Sequence, residues 1–281
     1  MSILRKATCA CVYTLGLAVL LSTTALAKDT NKPIIKKVTY NDHNQKMVLC
    51  LPRQQTEEQA QKPFILFVHG GAWTKGFGSR WDFYGHCKYA ARQGNPSATM
   101  SYRLSPRHAY PAAPNDLKDA ILWIKNHIAE FGSKEYPFNG EQIVLVGHSA
   151  GGHLSLLVGL KEKDLPIAGI ISLAGPTDLT TRKSCKLCTT GKKLFLRGAS
   201  AEEASPINYA HADAPPVYLF HGSWDEIVDV SQSVSMAEKL KEAGAPVKLQ
   251  VLNRKLHWFP FYSKKDPNAE KDVMDFIFES L

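Results

Sequence analysis

Short blocks of consecutive apolar residues alternate along this chain with stretches in which apolar residues recur every three or four positions. The blocks in "PFILFVHGGAW", "ATMSYRLSP", Ile143 to Val146, "AGIISLAG", "PPVYLFHG" and "VKLQVLN" predict strands. Between them, "WDFYGHCKYAARQG", "NDLKDAILWIKNHIAEFG", the run through Leu154, Leu157 and Leu160, and "SVSMAEKLKEAG" predict helices, with "AEKDVMDFIFES" closing the chain. The plainest helix places Leu117, Ile121, Ile124, Ile128 and Phe131 on one stripe, with Asn115 as its expected cap and Gly132 as its stop. Ahead of these elements, "IIKKVTY" and "KMVLCLP" flank "NDHNQ" as an antiparallel hairpin, and "EEQAQK" reads as a surface link. After Gly175 and Pro176 the pattern lapses. The stretch "TDLTTRKSCKLCTTGKKLFLRGASAEEASPINYAHADAPP" is expected as a long irregular excursion that builds a small cap over a site.

Strands apolar on both faces and separated by helices imply an α/β fold, a mostly parallel sheet with helices on both sides. The 281 residues, 44% of them hydrophobic, suit one domain with a sizeable core. In such a sheet ligands meet the loops beyond the C-terminal strand ends. Four of those ends carry conspicuous residues: His69 to Trp73, Ser149, Asp225 and His257.

The first 27 residues are of another kind. Arg5 and Lys6 precede an apolar run from Ala7 to Leu20, and Ala25-Leu26-Ala27 has the pattern of a cleavage site. A signal peptide over 1–27 and a single catalytic domain over 28–281 are therefore expected, the mature protein beginning at Lys28 and being periplasmic or secreted without stable membrane association. Cys50, Cys87, Cys185 and Cys188 remain in the mature chain. Export permits disulfides, and Cys185 with Cys188 in "SCKLCTTG" is the expected local pair. A zinc site would need further ligands at metal-site spacing, which Cys50 and Cys87 do not offer. The formal charge of +8 falls to +6 when the leader's two cations leave with it. This surplus is scattered in short pieces such as "TTRKSCK" and "TTGKK", without the aromatic interleaving of a nucleic-acid platform, so it reads as a solvated basic face.

Ser149 stands between Gly147 and Gly151, where a strand must turn sharply into a helix. Small neighbours permit that turn, and the serine hydroxyl is lifted to the mouth of the sheet. A hydroxyl needs a base to take its proton, and an imidazole needs a carboxylate to fix its tautomer. Asp225 beyond "VYLFHGSW" and His257 beyond "LQVLNRKL" complete the order nucleophile, acid, histidine. In "FVHGGAW", the backbone N–H groups of Gly71 and Ala72, joined by that of Ala150, are the expected oxyanion donors; losing one such donor typically costs about 3 kcal/mol of transition-state stabilisation. His69 reads as a turn-stabilising hydrogen-bond partner.

The ordered segments "HGGAW", "SYRLSP", "PAAPNDLKDAILWI", "GHSAGGHLS", "EEASPINY", "HGSWDEIV" and "LHW" resemble esterases of the α/β-hydrolase superfamily, in the branch around hormone-sensitive-lipase-like carboxylesterases, bacterial feruloyl-esterase-like proteins and kynurenine formamidase-like enzymes. The resemblance spans Phe64 to the C-terminus. It implies a three-layer α/β-hydrolase sandwich, Ser149 as nucleophile, Asp225 as acid, His257 as base and His69 to Ala72 as the oxyanion turn. It also implies that Tyr102 and Arg103 brace that turn. Many lipase-like members have a third glycine where this chain has Ala72.

The expected reaction is hydrolysis of small or medium carboxylic esters through an acyl-enzyme, needing neither metal nor organic cofactor. Trp73, Trp224, Trp258 and Phe259 adjoin site-forming elements and are candidate substrate-binding residues. Arylformamide hydrolysis, peptidase action and a non-enzymatic exported binding protein are the alternatives. Residue types alone do not choose the natural substrate or an oligomeric partner.

Overall fold

The computed structural model describes residues 31–181, 186–259, 274–275 and 277. The expected leader over 1–27, Cys185, the Cys188 side chain and most of the expected C-terminal helix lie outside them; Met274, Asp275 and Ile277 are helical.

Among the described residues the strands are β1 (Ile34–Thr39), β2 (Lys46–Leu51), β3 (Phe64–Val68), β4 (Ser97–Met100), β5 (Ile143–His148), β6 (Ile167–Leu173), β7 (Val217–Gly222) and β8 (Val247–Leu252). Among the described residues the helices are α1 (Glu57–Gln61), α2 (Tyr84–Arg92), α3 (Ala112–His127), α4 (Ala150–Lys161), α5 (Lys186–Leu196) and α6 (Ser231–Glu242). All eight strands form one sheet in the order β1-β2-β4-β3-β5-β6-β7-β8. β2 runs antiparallel to both neighbours, and every pair from β4 to β8 is parallel. The inner strands β3, β4 and β5 are buried along their whole length, which is why their sequences read as unbroken apolar runs.

Registers align the functional ends. Val68 lies beside Gly147, His148 beside Leu173, Leu173 beside Phe220, and Gly222 beside Leu252. Parallel strands in this register deliver the loops after β3, β5, β7 and β8 to one edge of the sheet. No described helix is long and apolar enough to cross a membrane.

α4 is buried from Ala150 to Leu160, because it lies between the sheet on one side and α3 and the 3₁₀ turn Pro206–Tyr209 on another. A helix enclosed in this way has no polar face to display. Its approach to the sheet requires Gly147 and Gly151: a Cβ on the first would overlap Gly151 O, and on the second Val68 O. Leu117, Ile121 and Ile124 of α3, and Ile128 of the 3₁₀ helix that follows it, are buried as their spacing predicts, with Phe131 packed beside them.

Three elements differ from the sequence pattern. "EEQAQ" is the helix α1 and not an irregular link: Thr56 Oγ1 accepts from Gln59 N at 3.3 Å, an N-cap whose signal lay in Thr56. α3 starts at Ala112, one turn before the expected cap, and Asn115 N donates to Pro111 O at 3.0 Å inside the helix. Pro111 and Pro114 suit that first turn because its N–H groups have no intrahelical acceptors in any case. The excursion after Pro176 contains α5 and the 3₁₀ turn. Gly191 of α5 sits so close to Ala72 that an added Cβ would stand 2.7 Å from the alanine Cβ and carbonyl oxygen. Phe195 of α5 stacks on Trp73, with ring centroids 4.8 Å apart. None of the described residues of the excursion lines the pocket that holds Ser149, although Pro176, just ahead of it, does, and α5 braces the turn after β3 from behind.

Two cysteines left unpaired by sequence spacing form a disulfide. Cys50 of β2 is bonded to Cys87 of α2, tying the helix to the sheet it covers across 37 residues of chain.

Candidate active site

The turn from β5 into α4 holds Ser149 at φ 54° and ψ −120°, a conformation that an L-residue adopts only under constraint. The constraint is visible: Ser149 N donates to Leu173 O at 2.8 Å, and Ser149 O accepts from His153 N at 3.0 Å. The side chain is thereby aimed out of the turn, and Ser149 lines a pocket of about 50 Å³ together with Gly71, Ala72, Ala150, Ile227, Val228 and His257.

His257 reaches this pocket from the loop after β8. Its Nδ1 donates to Asp225 Oδ2 at 2.7 Å, and its Nε2 is buried with no hydrogen-bond partner among the described residues. Asp225, just beyond β7, is itself fixed: Oδ1 accepts from the N–H groups of Ile227 and Val228, each at 2.8 Å. Burial opposes ionisation of Asp225, but hydrogen bonds from His221, His257 and the Val228 N–H outweigh it and hold the carboxyl well below the usual carboxylate range. The pair is sealed from solvent on both sides.

After β3, Gly71, Ala72 and Trp73 have φ of 110°, 50° and 57°. Three successive left-handed residues curl the chain under the pocket, which is easy for Gly71 and strained for the other two. The turn is held from both sides. Tyr102 OH donates to His69 O at 2.8 Å and its ring stacks on His69 at 4.3 Å, while His69 Nδ1 donates to Gly70 O at 2.7 Å. Burial lowers the His69 imidazole to about 4. Arg103, expected as a second brace, is turned to fully buried Asp116 through a 2.8 Å ion pair, and Asp116 also accepts from Arg103 N at 2.7 Å. Asn41 Nδ2 joins Asp116 to Asp119, at 3.0 Å from each.

The four candidate aromatic residues divide. Trp73 and Trp258 line the pocket, whereas Trp224 and Phe259 do not. Trp73 is also a core residue: it is buried, and its Nε1 donates to His153 Nδ1 at 3.1 Å. His153 Nε2 in turn donates to Ala204 O at 2.7 Å, and burial lowers this imidazole to about 4, so its Nδ1 is an acceptor at neutral pH. Trp258 is 51% exposed, its ring edge-on to His257. Trp224 is 59% exposed beneath the Arg254 guanidinium, and Phe259 is buried in the core beside β6 and β7. Phe77 and Pro176 complete the pocket and carry no sequence signal that marks them.

Two further histidines serve the constellation. His221 of β7 is fully buried, with Nε2 2.8 Å from Val228 O and 3.2 Å from Asp225 Oδ2, and Nδ1 2.7 Å from Ser233 Oγ. His148, beside Ser149, donates from Nε2 to His257 O at 2.9 Å; burial, aided by the nearby His257, lowers it to about 3. One therefore steadies the Asp225 carboxylate and the other the backbone of His257. Both stood in quoted motifs, but their roles depend on contacts that spacing does not reveal.

A sheet of this strand order, with a serine on the turn after β5, an aspartate after β7 and a histidine after β8, defines an α/β-hydrolase. Within that superfamily the chain matches the BD-FAE family model over residues 49–240 and belongs to that family. Among curated proteins it is 29% identical over 200 residues to the probable carboxylic ester hydrolase LipM of Mycobacterium tuberculosis, covering 64% of this chain and 45% of that protein. It is 28% identical to esterase LipC of the same organism, over 73% of this chain and 55% of the relative. The chain thus spans about half the length of the curated relatives it matches. Among solved structures, Thermogutta terrifontis esterase 2 phosphonylated by sarin superposes with a TM-score of 0.75 at 25% identity, covering 90% of this chain and 95% of that one. The butyrate-bound form of the same esterase gives a TM-score of 0.72 at 25% identity, over 90% and 94%.

Proposed function

We propose that the chain is a serine carboxylesterase that hydrolyses small or medium carboxylic esters through an acyl-enzyme. The observation that carries this reading is His257: Nδ1 is committed to Asp225, and Nε2 is unpartnered in the pocket it shares with Ser149. In the first step His257 Nε2 takes the Ser149 proton as Oγ attacks the ester carbonyl carbon. The carbonyl oxygen becomes an oxyanion held by the N–H groups of Gly71, Ala72 and Ala150. Its collapse expels the alcohol, which receives the proton from His257. Water then repeats the sequence on the acyl-enzyme, releasing the acid and restoring Ser149.

The small pocket favours a short acyl group, and the relative named as bound to butyrate supports the same choice. Labelling by organophosphorus reagents, as named for that esterase, provides the test. An organophosphorus probe should label Ser149 in proportion to loss of ester turnover, and Ser149→Ala should lose both while remaining folded, with a rate fall of about 10⁴-fold or more. A folded Ser149→Ala protein with unchanged turnover overturns the assignment. Labelling with faster turnover of arylformamides or peptides moves the substrate class, and neither labelling nor turnover leaves a binding protein.

Export is part of the same proposal. Cleavage after Ala27, a mature domain over 28–281 and a Cys185–Cys188 bond are to be checked by N-terminal sequencing and non-reducing peptide mass spectrometry. The Cys50–Cys87 disulfide supports an oxidising compartment.

A further inference from the structure

The turn that supplies the oxyanion donors has a second neighbour. His69 and Tyr102, which brace it, also line a cavity of about 900 Å³ outside the catalytic pocket. Among the described residues, six Lys and Arg side chains line this cavity, Lys46, Lys75, Arg80, Arg103, Arg107 and Arg197, and no Asp or Glu does. Arg103 is paired with Asp116; the other five form no ion pair among the described residues. So many cations facing one concavity repel one another, and an anionic occupant relieves that repulsion. Arg80 points the same way: its backbone carbonyl accepts from Thr99 Oγ1 at 2.6 Å and its guanidinium lies 5.1 Å over the Trp81 ring, yet its Nε is buried without an acceptor among the described residues. A buried donor in that state is costly until a ligand supplies an oxygen.

The spaces between the cations are polar. Asn44, Gln45 and Ser79 line the same wall, so neutral hydroxyl and amide partners alternate with the charges. Nucleic-acid strands are gripped by exposed rings on which bases stack, but in this wall Tyr102 and His69 are buried and stacked on each other, which leaves the half-buried His108 as the one imidazole open to a base among the described residues. Bilayers are met by apolar side chains that can insert, and here the aliphatic lining is confined to Leu104 and Pro106.

We propose that this cavity binds an acidic oligosaccharide, its carboxylate or sulfate groups meeting the five unpaired cations and its hydroxyls meeting the amide and hydroxyl groups between them. The occupant rests against Tyr102 and His69, so it loads the oxyanion turn from behind without entering the catalytic pocket. This assignment does not depend on ester hydrolysis.

Binding of a fluorescent polygalacturonate oligomer to the full-length chain carrying Ser149→Ala tests it, beside a neutral dextrin of equal length. The acidic oligomer should bind and weaken as salt is raised to about 150 mM, and the dextrin should not bind. Combining Lys75→Glu, Arg107→Glu and Arg197→Glu should weaken binding by about tenfold or more, because several exposed ion pairs are removed together. A control with the same charge change elsewhere, Lys163→Glu, Lys193→Glu and Lys241→Glu, should change it less than about twofold. Single Lys75→Gln and Arg107→Gln variants, with thermal midpoints matching the parent, should each show part of the loss. Equal loss in the control, equal binding of dextrin, or tighter binding of single-stranded DNA or anionic phospholipid vesicles overturns the proposal. Ester turnover is not read in this experiment, so the catalytic assignment stands or falls separately.

Discussion

Ser149 and Trp73 show two ways in which a side chain reaches the pocket, and mutation should separate them. Ser149 is small and held by backbone bonds, so its loss is expected to affect chemistry and leave the fold intact. Trp73 is stacked on Phe195 and bonded to His153, so Trp73→Ala should cost about 3–5 kcal/mol of stability as well as altering the pocket. Trp258→Ala, with half its ring already in water, should shift preference among acyl chain lengths while the thermal midpoint moves by little. Denaturant unfolding beside a panel of acyl esters checks both; a Trp73→Ala protein as stable as the parent would remove its core role. His221→Ala is expected to lower kcat far more than it changes KM, since its 3.2 Å contact is with the Asp225 carboxylate and it does not line the pocket. His221→Gln, which retains a donor, should recover part of the rate. Ser149, Asp225 and His257 were legible because each follows a readable strand; His221 was not, because its partner Ser233 and its burial come from how α6 packs on β7.

At the scale of elements, the contacts of α4 and α2 are the ones most open to test. Gly151→Ala drives a methyl group into Val68 O, so α4 cannot keep its distance from β3, and a destabilisation of about 3 kcal/mol or more is expected together with loss of turnover. Chemical denaturation measures this; an unaltered midpoint would contradict the packing. Replacing Cys50 and Cys87 by serine frees α2 from β2 and should cost about 2–4 kcal/mol, with the parent falling to the same midpoint under reductant. The apolar runs and the 3.6-residue stripes gave away most strands and α3, because burial on two faces or on one leaves a period in the sequence. α5 escaped notice because Lys, Thr and Gly interrupt its period, and its described anchors, Gly191 and Phe195, are defined by Ala72 and Trp73 far away in the chain. The Cys50–Cys87 bond escaped for the same reason: its partners meet only after β2, β4 and α2 are assembled.

The whole molecule carries a proton-linked stability. His69, His148 and His153 are lowered by burial to about 4, 3 and 4, from an ordinary value of 6.5. Below pH 6.5 the unfolded chain therefore binds protons that the folded chain refuses, unfolding takes up protons, and stability falls as pH drops towards 4. Three imidazoles acting together give a slope of up to about 4 kcal/mol per pH unit in that window. Asp225 adds a contribution that is present above its ordinary value of 3.8 and is lost as pH falls further. Thermal midpoints across pH 7 to 4 should decline progressively, and a flat profile would contradict the burial of these rings. The strand order also sets when during folding this machinery exists. Ser149 follows β5 at the middle of the sheet, Asp225 follows β7, and His257, the proposed base, follows β8 at its edge. Parallel pairing joins segments distant in sequence and is slow to form. Until β8 docks, His257 cannot reach Asp225, so a chain lacking that pairing has no base in place. Recovered activity therefore reports the docking of one edge: ester turnover should not run ahead of tryptophan fluorescence during refolding, and a nick between β7 and β8 that lets the edge drift away should silence turnover before the core melts.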